Sequence, residues 1–336
     1  MKSKAFIIFT AIFLLVIFFT QFKLINRPVT ENDEGIYLTS FLLVNKGNLA
    51  YKKTYFSQPP GYLLSVYQGF ILFGKTLQAA RLTISLWSFI GLLAIIWIGF
   101  ELKNNWAGLL AISLLILTPT YFNQSLTFQS DILITTFSLI SLAAVIRFRN
   151  ILHLPWFIIS VFFLNLAFWT KFDVTFFPSF LLFVFFLLKE KKISIKYVIN
   201  LILTFSVISL GFFVLLIAPF GIKEVFSNSI LLRFQAASSS SSSFLLFDYL
   251  KKDIFLSSII FGSLILSFIK KNKFSYLIII IFLWSIFSLI LFFFYRPLFP
   301  HHLVILAVPM VLLFSLLIGS CFSNKKIFRS LVLIIL

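Results

Sequence analysis

An all-α, polytopic membrane protein is the fold class this sequence predicts, and three observations predict it. Of its 336 residues 60% are hydrophobic, with 48 Phe. Apolar runs of about 15–20 residues, near the length needed to cross a bilayer, recur from end to end. Those runs are continuous, not alternating. A soluble chain of this size would expose large apolar patches. Inside a bilayer only helices and closed barrels satisfy the backbone, and continuous runs select helices.

The spans follow in order. Lys2 and Lys4 precede an apolar run near 5–22. A cleaved secretory signal would show small residues after that run. Thr20-Gln21-Phe22-Lys23 stands there instead, which predicts an uncleaved anchor with a cytoplasmic N-terminus. Further spans fall near 81–100, 107–119, 131–147, 155–170, 174–188, 197–218, 254–269, 275–294 and 302–322, with another segment opening at Ile327. That makes about 10–11 transmembrane helices by the length criterion.

The net charge of +18, from 28 Lys and Arg against 10 acids, follows membrane topology and not a nucleic-acid stripe. Alternation from the cytoplasmic start puts 15 basic residues inside and 13 outside. The inside ones lie in dense loops such as Lys189-Glu190-Lys191-Lys192 and Lys270-Lys271-Asn272-Lys273, the positive-inside pattern. Of the acids, 8 lie outside, and only Glu101 and Glu190 inside. A multi-pass cell-membrane protein with its chemistry on the outer face is expected, in contact with membrane lipids and not with nucleic acid.

The chain from 1 to 336 reads as one transmembrane domain with two long external segments, 23–80 and 220–252. The second contains a six-serine run, Ser238 to Ser243, of tether-like composition. The sequence stops within the apolar stretch LVLIIL, so its last span reads as incomplete. The lone Cys321 offers neither a disulfide nor a metal pattern.

The external segment 23–80 is organised. Asn32 is a cap for a short helix reaching about Val44. Pro59-Pro60 stops what precedes it and can start the next helix. The stretch Gly61 to Phe73 is apolar but too short to span, so two helices lying on the membrane surface are expected.

Carboxylates are scarce, which gives each one weight. Asp33 and Glu34 open the first of these helices, where the macrodipole alone favours acids by roughly 0.3–1 kcal/mol. Asp131 opens a span directly after TPTYFNQSLTFQS, and a solvated helix start would also account for it. Lys171, in WTKFD, sits at a turn between two short spans. It is suited either to snorkelling or to a lipid phosphate. Arg296, His301 and His302, in YRPLFPHHLVILAVP, fall at the same outer level. Adjacent histidines point to different helix faces, so a paired metal clamp is not expected of them.

Taken in order, DE after the first span, QPPGY, RLTISLWSFIGLL, LTPTYFNQSLTFQSD, WTKFD and HHLVILAVP resemble the GT-C membrane glycosyltransferases. The similarity is to the dolichyl-phosphate-mannose–protein mannosyltransferases and the bacterial aminoarabinose (lipid A) transferases, over about residues 5–322. The resemblance implies a GT-C-type bundle. It implies Asp33 as the essential first-loop aspartate, with Glu34 its neighbour and Asp131 a second acidic site. Lys171 would be the donor-phosphate lysine and Arg81 the arginine that begins the second span. One of His301 and His302 would lie near the lipid-phosphate end. Gln58-Pro59-Pro60 matches a Lys-Pro-Pro element, with Gln58 in place of the commoner charge.

On this reading Asp33, Glu34 and Asp131 are catalytic. Lys171, Arg81, Arg296, His301 and His302 bind donor phosphate, and Tyr55 and Gln58 position substrate. A sugar on a polyprenyl phosphate already carries a good leaving group, so the site needs a base for the acceptor and cations for the departing phosphate. No P-loop or glycine-rich nucleotide fingerprint is present. The expected function is an inverting transfer from a polyprenyl-phosphate sugar donor to a lipid, glycan or protein acceptor. No cofactor is obligatory. A divalent metal held by Asp33, Glu34 and Asp131 is possible. The alternatives are a transporter or flippase of lipid-linked sugars, or an inactive partner homologue. Transporters place charges mid-span, whereas here they cluster at span ends.

Overall fold

The computed structural model describes residues 4–29, 31–172, 180, 184, 194–231, 245–270, 276–295, 298–321 and 332–333. Among them the regular structure is helical, with one isolated bridge between Ala50 and Thr54. Among the described residues six helices are long and apolar enough to cross a membrane. They include α1 (Lys4–Leu24), α4 (Leu77–Glu101), α7 (Asp131–Ile151), α9 (Ile195–Ile217) and α13 (Tyr276–Phe294). The sixth joins a 3-10 turn, Pro300–His302, to α14 (Leu303–Cys321). The chain is a multi-pass membrane protein. The span expected near 174–188 (but for residues 180 and 184), the serine run and Ile327 lie outside the described residues.

Two apolar helices are shorter, α5 (Asn105–Leu117) and α8 (Leu154–Thr170). At 1.5 Å per residue α5 reaches only about 20 Å. Pro119 then starts a separate short helix, α6 (Pro119–Gln124). The helix starts have local causes. Thr76 Oγ1 caps α4 through Ala79 N, Asn104 Oδ1 caps α5 through Ala107 N, and Ser194 Oγ caps α9 through Tyr197 N.

Central and peripheral helices differ in burial. In α7 almost every side chain is buried, while α9 presents Val207, Leu210 and Leu215 outward, as a lipid-facing helix does. The turn between α7 and α8 is two residues, with Leu152 in the left-handed region at φ 51°. At mid-hairpin Ser141 Oγ donates to Ser160 O at 2.8 Å and Ser160 Oγ to Ser141 O at 2.9 Å. Small hydroxyl residues let two membrane helices approach closely and keep their polar atoms paired. This register sets Asp131, at the start of α7, opposite Lys171, just beyond α8.

The segment between α1 and α4 forms α2 (Asn32–Asn45) and α3 (Pro60–Phe73), with Pro60 as the first residue of α3. Neither merely lies on a surface. Aromatic contacts join Tyr37 and Phe41 of α2 to Tyr62 and Phe70 of α3 and to Phe128 before α7. Helix α3 packs on α4 and α8, and a Cβ placed on Gly61 would meet the Trp169 carbonyl oxygen at 2.5 Å. Only Ile71, Leu72 and Phe73 at its far end, with Leu64, are exposed large apolar residues.

After α9 come a short helix, α10 (Ile222–Phe226), and a π turn, Ser227–Leu231. Helices α11 (Leu245–Lys252) and α12 (Ile254–Lys270) meet at 110°. Asp253 makes that corner. Its Oδ1 accepts from Leu256 N at 2.9 Å, and its Oδ2 from Thr120 N at 3.3 Å and Thr120 Oγ1 at 2.5 Å.

Candidate active site

The C-terminal ends of α1 and α8 and the N-terminal ends of α2, α4, α7 and α14 meet at one end of the bundle. Three ionised clusters sit there, each assembled from distant parts of the chain.

The deepest is Glu34 with Arg81. Glu34 Oε1 accepts from Arg81 Nε at 2.8 Å and from Phe128 N at 2.7 Å, and Glu34 Oε2 accepts from Arg81 Nη2 at 2.6 Å. The remaining guanidinium N–H groups donate to the carbonyls of Ile25, Arg27 and Pro28. A guanidinium has five donors, and each has an acceptor here. Both side chains are almost wholly buried, at 0% and 2% exposure. The fork ties α2, α4, the chain after α1 and the loop before α7 to one point.

Asp131 and Lys171 form the second cluster, with Asp131 Oδ1 2.5 Å from Lys171 Nζ and both side chains 1% exposed. Asp131 Oδ2 has no hydrogen-bond partner among the described residues. The same holds for the buried Tyr62 hydroxyl. Burial first, then Tyr37 and the charges of Asp33, Asp131 and Glu34, push the Tyr62 phenol well above its ordinary value, so it remains a neutral hydroxyl.

The third cluster is more open. Glu31 occupies the N-cap position of α2 without capping it. The cap expected at Asn32 is not made: Asn32 is the first helical residue, and the Glu31 carboxylate before it contacts Gln124, Gln129 and His301 instead of the helix N–H groups. Its Oε1 accepts from Gln124 Nε2 at 2.5 Å, and its Oε2 from Gln129 Nε2 at 2.9 Å. Glu31 Oε2 is also 3.0 Å from His301 Nδ1. Burial acts to raise the Glu31 pKa, but His301, Gln124 and Gln129 together outweigh it and hold the carboxyl below its ordinary value. Asp33 lies beside this cluster. Its Oδ2 accepts from Gln129 Nε2 at 3.4 Å and stands 4.0 Å from His301 Nε2. The Asp33 side chain is 37% exposed, against 0% for Glu34.

The other residues singled out in the sequence have these surroundings. Gln58 is buried, donates from Nε2 to Tyr37 Oη at 2.9 Å, and its carbonyl accepts from Tyr51 Oη at 2.6 Å. Tyr55 has an exposed side chain, and its carbonyl accepts from Ser40 Oγ at 2.8 Å. His302 Nδ1 accepts from Phe299 N at 3.2 Å, with the ring packed among Phe292, Tyr295 and His301. Arg296 lies outside the described residues. No three His, Cys, Asp or Glu among the described residues are grouped to hold a metal. Of the acids expected to suit a metal, Glu34 is paired with Arg81 and Asp131 with Lys171. Sequence reasoning missed Glu31, Tyr62, Gln124 and Gln129 as members of the site. Glu31 had a signal available, as one of only 10 acids and two residues before Asp33.

The fold has counterparts among solved structures, and a family model matches part of the chain. The family model for dolichyl-phosphate-mannose-protein mannosyltransferase matches residues 57–217, a stretch that carries Gln58, Tyr62, Arg81, Asp131 and Lys171. The crystal structure of ArnT from Cupriavidus metallidurans bound to undecaprenyl phosphate superposes with a TM-score of 0.73 at 18% identity. It covers 99% of this chain and 63% of that one. The apo state of the same protein gives 0.72 at 17% identity, with the same coverage. The chain thus spans less than two thirds of the length of these ArnT chains. No curated protein matches it. The resemblance to this mannosyltransferase and aminoarabinose transferase group, carried by the ordered motifs, extends to the fold of the whole chain.

Proposed function

We propose that this protein is an inverting glycosyltransferase that moves a sugar from a polyprenyl-phosphate donor to a lipid, glycan or protein acceptor at the outer face of the membrane. The observation that carries the reading is the contrast among Asp33, Glu34 and Asp131. Glu34 and Asp131 are buried on cations, while Asp33, on the same end of the bundle, has its Oδ2 held and its side chain partly open. A general base must reach the acceptor hydroxyl, and of these three acids only Asp33 is accessible.

In the reaction the acceptor oxygen attacks the anomeric carbon as Asp33 takes its proton. The bond from that carbon to the phosphate oxygen breaks, and the electron pair leaves with the polyprenyl phosphate. One displacement inverts the centre. Lys171 supplies positive charge near the leaving phosphate, tempered by Asp131. Glu34 and Arg81 act as scaffold: Arg81 has spent every donor, so it holds Asp33 in place through its neighbour and does not bind phosphate. In this reading the positive charge at Glu34 and Asp131 comes from Arg81 and Lys171.

The ArnT structure that matches in fold carries undecaprenyl phosphate, which supports a lipid-linked donor for this chain also. The test is reconstitution of the protein in liposomes with a panel of labelled polyprenyl-phosphate sugars and membrane acceptors. Transfer with inverted configuration supports the proposal. Movement of the lipid-linked sugar across the bilayer without transfer contradicts it and selects the transporter.

A further inference from the structure

Glu31 is not used by the reaction described above, yet its half-buried carboxylate contacts three side chains of the site. Its Oε2 and the Asp33 Oδ2 share two partners. Gln129 Nε2 reaches them at 2.9 and 3.4 Å, and the two nitrogens of the His301 ring reach them at 3.0 and 4.0 Å. The partners come from separate parts of the chain, Gln129 from the loop before α7 and His301 from the 3-10 turn before α14. Gln124 fixes the other Glu31 oxygen at 2.5 Å. The His301 ring is buried at 8% exposure and stacks on Phe299, so its orientation is set by packing as well as by Glu31.

We infer that Glu31 and His301 form a positioning pair for Asp33: Glu31 anchors the imidazole and the Gln129 amide, and these two in turn aim the Asp33 carboxylate at the acceptor. The inference rests on the glycosyltransferase reading and deepens it. The geometry explains why Asp33, the one accessible acid of the three, is not simply loose in solvent. One oxygen accepts from Gln129 Nε2 at 3.4 Å and lies 4.0 Å from His301 Nε2, and both of those side chains also contact the Glu31 carboxylate. A reacting group displaced by about 1 Å can lose up to a hundredfold in rate. Glu31 and His301 therefore act on the rate of the chemical step and not on donor binding. The Glu31–His301 contact also joins the start of α2 to the 3-10 turn before α14, 270 residues further along the chain.

Two measurements test the pair, one of them independent of activity. The chain has three histidines, so ¹⁵N-histidine NMR of the full-length protein gives few imidazole signals, and His301→Gln assigns the one that matters. The pair predicts that this signal moves in Glu31→Gln and also in Asp33→Asn. Movement in neither, or in Glu31→Gln alone, overturns it. In transfer assays Glu31→Gln and His301→Gln should each lower kcat by roughly tenfold to a hundredfold with the donor KM unchanged. Placed on top of Asp33→Asn, neither should lower residual transfer further, since both act through Asp33. Additive losses, or a rise in donor KM with kcat intact, overturn the pair and make His301 a phosphate ligand. If the parent protein transfers no sugar while the NMR signal behaves as expected, the glycosyltransferase reading fails and the bridge between the carboxylates stands. Should Glu31→Gln fail to insert, Gln129→Glu, which sets a third carboxylate against the two, must produce the same loss of kcat.

Discussion

Arg81 ties α2, α4 and the chain after α1 together. Its planar fork meets the Glu34 carboxylate on two edges and three backbone carbonyls beyond it. A lysine has the charge without the fork and would reach a subset of these acceptors. Arg81→Lys should therefore lower thermal stability in detergent strongly, since breaking a buried pair costs about 3–5 kcal/mol. Unchanged unfolding would show that the fork is dispensable. Glu31 gives a pH signature. Its folded-state pKa is depressed, so its contribution is present above the unfolded carboxyl value and is lost as pH falls through the folded one. Glu31→Gln should flatten that part of the acid-side loss in a melting series across the carboxylate range. An identical acid profile would count against the His301 contact.

At the scale of elements, the close approach of α3 to α8 is the sharpest constraint. The Gly61 position faces backbone, the Trp169 carbonyl, which cannot rotate away as a side chain can. Gly61→Ala should separate α3 from α8 and reduce the yield of folded, monodisperse protein several-fold. Normal yield and melting would show that α3 can shift without cost. Helix boundaries were largely legible in the sequence, because long apolar runs and proline or capping residues act locally. The span expected near 131–147 is α7, and the one near 155–170 is α8. Pro60 begins α3 as its ring geometry favours. The misses have tertiary causes. Asn32 looks like the cap of α2 until Glu31 is seen to face Gln124, Gln129 and His301, partners that lie 93 residues or more away. The corner at Asp253 depends on Thr120, 133 residues distant, and nothing near Asp253 announces it. For the same reason the sequence could nominate Asp33, Glu34 and Asp131 together but could not tell which was open and which was paired.

The molecule as a whole joins a lipid-facing exterior to a polar end where several helices begin or finish. Among the described residues the two fully buried ion pairs lie at that end, and each links separate elements. Such pairs are weak sources of stability but demanding in geometry, which suits a site that must hold one acid open among others that are closed. This arrangement uses its own cations, so chelation of divalent metal should leave the initial rate of sugar transfer unchanged. A rate that collapses on chelation and returns with added Mg²⁺ or Mn²⁺ would contradict the assignment of Glu34 and Asp131 to Arg81 and Lys171.

The most direct test of the central claim compares sugar transfer by the parent protein with transfer by Asp33→Asn, at matched insertion and with labelled polyprenyl-phosphate donors. Loss of a positioned general base predicts a fall of roughly 100-fold or more, with the protein still folded and donor binding retained. Equal transfer by the two proteins would contradict the account, leaving Asp33 as no more than a helix-start residue.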